Sequence, residues 1–252
     1  SYKTILDRLS KKAVRYQIPI GLEDKHEGVI DLLQMKAYYF EGDMGNKVIE
    51  KEVPAEYMDD AKKYRAELIE RIVENDEAAM NAYLEGTEPS LVDLKKLMRK
   101  AVIANHIFPV FAGSALKNKG VQLVLDAVVD YLPAPTDIAA VKGTNPDTEE
   151  ALERHASDSE PFSALAFKSM NDPFVGQLVF FRVYSGTIEA GSYVYNPRTG
   201  NKERLSRIVR MQADQRQEIK KVFAGEIAAA VGLKEVKTSD TLTDEANPIQ
   251  LD

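Results

Sequence analysis

Cysteine and tryptophan are absent from the 252 residues, and histidine occurs only three times. Without cysteine there is no disulfide framework, no zinc-thiolate centre and no cysteine nucleophile, a composition that fits a reducing cytosol. His26, His106 and His155 stand apart from one another, so neither a catalytic triad nor a metal cluster can be drawn from them. No apolar run reaches the roughly 18 to 20 residues that span a bilayer, and the N-terminus lacks the apolar core of a signal peptide. No membrane partner is expected. The net charge of −7 excludes a uniformly basic nucleic-acid binder, because phosphate neutralisation supplies much of that affinity.

What is present is enough material for at least two cores: 252 residues, 44% of them hydrophobic. Tyr2 to Ala13 carries Ile5, Leu9 and Ala13 at helical spacing and predicts a helix, followed by a strand over Val14 to Ile18. Gly28 to Phe40 and Lys47 to Val53 predict a hairpin across the turn residues of 41–46. After Pro54, the stripe Tyr57, Ala61, Tyr64, Leu68 and Ile72 predicts a helix, with a break near Asn75 before Ala79 and Tyr83. Helical spacing assigns these tyrosines to packing rather than to ligand stacking. Ser90 with Asp93 forms a cap-like pair ahead of Leu94, Leu97, Met98 and Ala101. The carboxylates at 50, 52, 56, 59 and 60 lack a coherent ligand geometry and read as a solvated face.

Ile107 to Phe111 predicts a buried strand, and Val121, Val124, Leu125, Val128 and Leu132 predict one face of a helix. Between them lies Gly113-Ser114-Ala115-Leu116-Lys117-Asn118-Lys119-Gly120. In open α/β sheets, ligands sit beyond the carboxyl ends of strands, where a loop aims backbone N–H groups at a bound base. A donor from Ser114, Ala115 or Leu116 would pair with guanine's carbonyl and reject adenine's amino group. Taken alone, the Gly-Ser-Ala tripeptide is a weak signal and is better read as an ordinary strand-to-helix turn.

The region Tyr131 to Ser159 is interrupted by Pro133, Pro135, Gly143 and Pro146 and predicts a linker or exposed loop. From Phe162 onward, short β runs at 164–170, 177–184, 193–195, 203–211, 218–223 and 226–231 are punctuated by glycine, the pattern of a closed antiparallel barrel. Between Pro161 and Lys221, ten basic residues face five acidic ones. Lys202, Arg204 and Arg210 share strand parity, whereas Arg207 shares parity with Leu205 and Val209, which requires a barrel end or a bulge. From the residues alone these are solvated strand charges.

Many stretches, in order, resemble elongation factor G, a GTPase that moves tRNA and messenger RNA through the ribosome. Among them are Gln17 to Gly21, Gly28 to Leu32, Gly113 to Val121, Asp130 to Pro133, Pro161 to Lys168, Asp172 to Gly176, Phe181 to Thr187 and Ala224 to Leu233. The resemblance implies a multidomain α/β plus β chain: a remnant of a P-loop GTPase domain (1–22 and 106–136), an α+β insertion (23–105), a linker (137–159) and a translation-factor β-barrel (160–252). It implies a guanine-contacting loop at Ser114, Ala115 and Leu116, and it turns the reading of Lys202, Arg204 and Arg210 toward small-subunit ribosomal RNA. It also implies stalk proteins as partners of the insertion, a cytoplasmic monomer, and GTP with Mg2+ as the intact family member's ligands. The Gly-x-x-x-x-Gly-Lys-Ser/Thr, Asp-x-x-Gly and Asn-Lys-x-Asp motifs that hold phosphate, magnesium and guanine do not occur. Because the chain starts at Ser1, past where the family places them, an excised middle portion is expected, with no cofactor and no GTP hydrolysis of its own. A nonenzymatic ribosome or RNA-binding module and a ribosome-recycling paralogue are the alternative expectations.

Overall fold

A computed structural model describes residues 2–172, 176–213 and 215–252. The middle of the family-like stretch Asp172 to Gly176, and Asp214 of the basic island, lie outside the described residues. The chain divides into two compact units at Leu132/Pro133.

The first unit runs α1 (Tyr2–Arg8), β1 (Ala13–Arg15), β2 (Gln17–Ile20), β3 (Gly28–Asp31), β4 (Lys36–Glu41) and β5 (Lys47–Glu52). It continues with α2 (Met58–Val73), α3 (Glu77–Leu84), α4 (Leu91–Ile103), β6 (Phe108–Val110) and α5 (Val121–Tyr131). β1 pairs in parallel with β6, while β2, β3, β4 and β5 form an antiparallel meander. A parallel pair needs a long crossover, and here everything from β2 to α4 lies in it. The single expected strand over 14–18 is therefore two strands that serve two sheets.

Local chemistry explains the helix ends. Ser90 Oγ accepts the amide of Asp93 (3.2 Å) and donates to its carboxylate (2.7 Å), which opens α4 as expected. Asp76 likewise accepts the amide of Ala79 (3.2 Å) at α3, just past the break near Asn75, whose side-chain amide donates to the Arg71 carbonyl (2.8 Å). Ala61, Leu68, Ile69 and Ile72 of α2 and Leu94, Met98 and Ala101 of α4 are buried in one core, with Tyr57, Tyr64 and Tyr83 packed at its margin. The tyrosines are packing residues. Asp31 is also buried; its carboxylate accepts the amides of Leu33 (2.9 Å) and Gln34 (2.8 Å), so the expected strand over 28–40 breaks into β3, a turn and β4. Burial raises its carboxyl above the ordinary range despite those hydrogen bonds.

Three expectations fail in this unit. The first helix ends at Arg8, leaving Leu9 exposed and Ala13 in β1. β6 is not buried: Phe108 is exposed and Val110 half-buried, as follows from a two-stranded sheet with one neighbour. α5 turns the other way, burying Ala127 and Tyr131 while the predicted face, including Leu125 and Val128, is exposed. The helix is apolar nearly all round, so spacing alone does not choose its core side.

The second unit contains β7 (Val141–Thr144), β8 (Ala151–Arg154), β9 (Ser163–Asp172), β10 (Gly176–Ser185), β11 (Ile188–Glu189), β12 (Tyr193–Asn196) and β13 (Asn201–Arg204). β14 (Arg207–Gln212), β15 (Gln215–Ile219), β16 (Lys221–Val222), β17 (Ile227–Val231), β18 (Thr241–Thr243) and β19 (Gln250–Leu251) follow. An eight-stranded antiparallel sheet in the order β13-β12-β18-β9-β10-β17-β14-β15 wraps one core, to which Phe181, Val194, Ile208 and Leu242 contribute from separate strands, joined by Phe162 and Leu205 from connecting segments and by Val222 from β16. The expected linker is instead a hairpin, β7–β8, whose outer neighbour is β19. Asn145 Oδ1 accepts the amides of Asp147 (2.9 Å) and Thr148 (3.2 Å), so the polar turn residues occupy the hairpin tip rather than a loose segment. The expected strand 203–211 breaks at Leu205–Ser206 into β13 and β14, which resets parity and places Arg207 in solvent without a bulge.

Tyr16 and Tyr131 share a buried hydroxyl–hydroxyl hydrogen bond of 2.8 Å. Tyr131→Phe should destabilise the first unit by about 1 to 2 kcal/mol, because the Tyr16 hydroxyl is left buried without a partner. Adding Tyr16→Phe should cost less than a second such loss, a non-additivity that urea unfolding of the four proteins in the cycle will reveal. Strict additivity would show the bond to be energetically idle.

Candidate functional site

β6, the 111–120 loop and α5 form the strand-loop-helix unit expected from the sequence. Within the loop, Ser114 and Lys119 make an antiparallel bridge through Ser114 N–H to Lys119 O (2.8 Å) and Lys119 N–H to Ser114 O (3.0 Å). Asn118 N–H closes the turn on Ala115 O (3.1 Å). Two glycines allow this closeness: a Cβ on Gly113 would lie 2.6 Å from Lys119 O, and Gly120 takes φ +84° against the Ala112 carbonyl.

The bridge sorts the three candidate residues. The Ser114 amide is spent on Lys119, and its Oγ accepts from Lys117 N–H (3.4 Å), so Ser114 shapes the loop. The amides of Ala115 and Leu116 have no protein acceptor among the described residues, and Leu116 is 86% exposed. Of the three candidate residues, these two have backbone donors left to offer.

The loop is held from behind by turns of the four-stranded sheet, a feature the sequence reading missed. Asn118 Nδ2 donates to Met44 O (2.9 Å), Gln122 Nε2 to Gly45 O (3.1 Å) and Lys119 Nζ to His26 O (2.7 Å). Asn118 and Met44 both adopt positive φ, 49° and 52°. The turn-forming glycines and asparagine of 41–46 were the only advance signal. They marked a turn and not its partner.

The basic candidates are not brought together on one strand. Lys202 and Arg204 lie on β13, whereas Arg210 lies on β14, at the far side of the sheet order. All three are exposed. Lys202 pairs with Glu245 and Arg210 with Glu226 (2.7 Å), while Arg204 Nε donates to Gly191 O (3.3 Å). Arg198 meets buried Asp240 (2.6 Å), and Arg207 meets Glu218 (3.3 Å). Glu226, Asp240 and Glu245 fall just beyond the stretch whose composition is basic, so the island is largely neutralised in space.

Residues 176–243 match the family described as elongation factor Tu domain 2. A crystal structure of a protein from Thermus thermophilus aligns with 98% of this chain at a TM-score of 0.76 and 25% identity. The family match falls within the second unit, and the structural match spans nearly the whole chain. The chain spans 34% of the Thermus protein's length. Within the eight-stranded sheet the match to elongation factor Tu domain 2 begins in β10 and ends in β18.

For the ligands that a translational GTPase implies, the fit is partial. The loop offers guanine two unspent amides, but no group of three or more His, Cys, Asp or Glu suited to a metal exists among the described residues. No step through phosphate or magnesium is derived from these residues. No helix among the described residues is long and apolar enough to cross a membrane.

His26, at the rear of the loop, is buried, and burial lowers its imidazole below the ordinary value, with the Lys119 cation adding to the effect. The unfolded chain then takes the proton more readily, so stability is complete above about pH 6.5 and declines as pH falls below it. The urea midpoint should drop between pH 7.5 and pH 5.5, and His26→Gln should reduce that drop. An equal drop in the variant would assign the acid sensitivity elsewhere.

Proposed function

We propose that this chain is the central part of a GTP-dependent elongation factor that promotes ribosomal translocation, with Ala115 and Leu116 reading the guanine base. The observation that carries the reading is the pair of unspent amides on a braced strand-to-helix loop, in a chain whose residues 176–243 match a translation-factor domain. Exposed apolar residues on α5, among them Leu125 (61%) and Val129 (79%), together with exposed Phe108 on β6, suit a GTPase sheet that continues on that side. GTP hydrolysis then belongs to the longer factor, whose phosphate loop and Mg2+ site this chain does not supply.

In this reading the first unit's insertion meets the ribosomal stalk, and the barrel meets small-subunit RNA through Lys202, Arg204 and Arg210. Ion pairs with Glu245 and Glu226 limit how strongly two of these cations attract phosphate.

The pure chain should show no GTP turnover; GTP-specific hydrolysis would overturn the division of labour. In the longer factor, Ala115→Pro should weaken GTP binding roughly 10- to 100-fold without changing ATP binding, since it deletes one donor to the guanine carbonyl. Ser114, in an extended bridge, tolerates the following proline. Equal GTP affinity in that variant would remove Ala115 from the base site. Neutralising Lys202, Arg204 and Arg210 together should reduce ribosome binding and flatten its salt dependence, and unchanged binding would remove the barrel patch.

A further inference from the structure

A cavity of about 450 Å3 lies wholly within the second unit, walled by the 135–141 segment, β8 and β10. Its apolar surface comes from Pro135, Ile138 and Val141, with the Tyr184 ring beside them. The charged groups that line it are Arg154 and Arg182, with no carboxylate among the lining residues. Both are half-buried.

Their hydrogen bonding is incomplete in the same way. Arg154 spends Nη1 on the Glu153 carbonyl (3.2 Å) and Nη2 on the Asn247 carbonyl (3.2 Å), but its buried Nε has no partner. Arg182 lies 5.3 Å from the Tyr184 ring centroid, and its buried Nε is also without a partner. Elsewhere in this unit Arg198, Arg207 and Arg210 each have a carboxylate. A guanidinium cannot relieve burial by losing its proton, so an unpaired one retains a demand for an anion.

We propose that this cavity binds a small organic carboxylate carrying an apolar body. The planar fork of a guanidinium suits the two oxygens of a carboxylate; the Arg182 Nη groups, with no acceptor among the described residues, are the donors to it, Arg154 adds its charge, and the proline, isoleucine and valine surface covers an aliphatic or aromatic tail. A bare phosphate satisfies the arginines but leaves the apolar wall without a partner. The inference is independent of the translation reading, because none of its residues belongs to the guanine loop or the Lys202, Arg204 and Arg210 group.

The 252-residue protein is titrated with hexanoate, hexylammonium and inorganic phosphate, followed by ligand-observed NMR, with melting temperature as a second readout. Hexanoate should bind saturably at least tenfold more tightly than either other probe and raise the melting temperature. Arg182→Gln and Arg154→Gln should each weaken hexanoate at least tenfold, with the fold checked by circular dichroism. Ala140→Leu, which keeps both arginines but fills the cavity, should abolish binding and serves if an arginine variant fails to fold. Hexylammonium binding as well as hexanoate would reduce the site to plain apolar surface and overturn the proposal. Phosphate binding as well as hexanoate would overturn it in favour of a bare-anion site of the kind a nucleic-acid backbone could use. Wild-type hexanoate affinity in the folded variants would place the ligand elsewhere.

Discussion

Tyr16 fixes the first unit, because one residue joins three parts of it. Its amide donates to the Val110 carbonyl (3.0 Å), extending the parallel pair, and its carbonyl accepts from Leu32 N–H (3.1 Å), opening the antiparallel meander. Its hydroxyl meets Tyr131 on α5, and its ring packs 4.7 Å from Phe111 at the loop's entrance. The chain from 13 to 20 can therefore pass from one sheet to the other without leaving a buried polar backbone group unpaired. The distance from β6 to the turns at 26 and 44–45 follows from that passage. Those turns can hold the 114–120 loop because Tyr16, between β1 and β2, joins the two sheets.

In the second unit an equivalent tie is electrostatic. Asp240 is buried, yet it accepts from Asn196 Nδ2 (2.8 Å), from Arg198 Nε (2.6 Å) and from the Lys237 amide (2.9 Å). Burial alone would raise its carboxyl, but the guanidinium, the amide and the asparagine outweigh that and hold it below the ordinary carboxylate range. One carboxylate thus links the end of β12 to the segment before β18. A charge that composition assigns to surface is a structural joint.

Local signals in the sequence were read well where they were sufficient. The Ser90 cap, the break near Asn75 and the β4–β5 hairpin depend on neighbours a few residues apart, and they lie where spacing puts them. Nonlocal outcomes were hidden. α5 is apolar on several faces, and packing against α4 and the core that holds Tyr16 selects Ala127 and Tyr131 as the buried pair. The parity puzzle at Arg207 arose from treating two strands as one. The acidic partners of the basic island lie 16 to 43 residues from the cations they neutralise at Arg210 and Lys202, beyond the reach of a composition window. The candidate loop was visible as a loop, yet which of its amides remain unspent depends on the Ser114–Lys119 bridge.

The strands at the centre of the eight-stranded sheet are apolar on both faces. Val179, Phe181, Ala228 and Ala230 belong to the main core, whereas Leu178, Val209, Ala229 and Val231 form a second cluster on the opposite face. The usual safeguard of strand register, that a one-residue slip would exchange apolar for polar side chains, is therefore missing here. Volume takes its place. Phe181 lies opposite Ala228, Phe180 opposite Ala229 and Val179 opposite Ala230, a row of large residues against small ones. Sliding β17 by one position would bring Ile227, now opposite Arg182, against Phe181, so three alanines act as a ruler that polarity cannot provide.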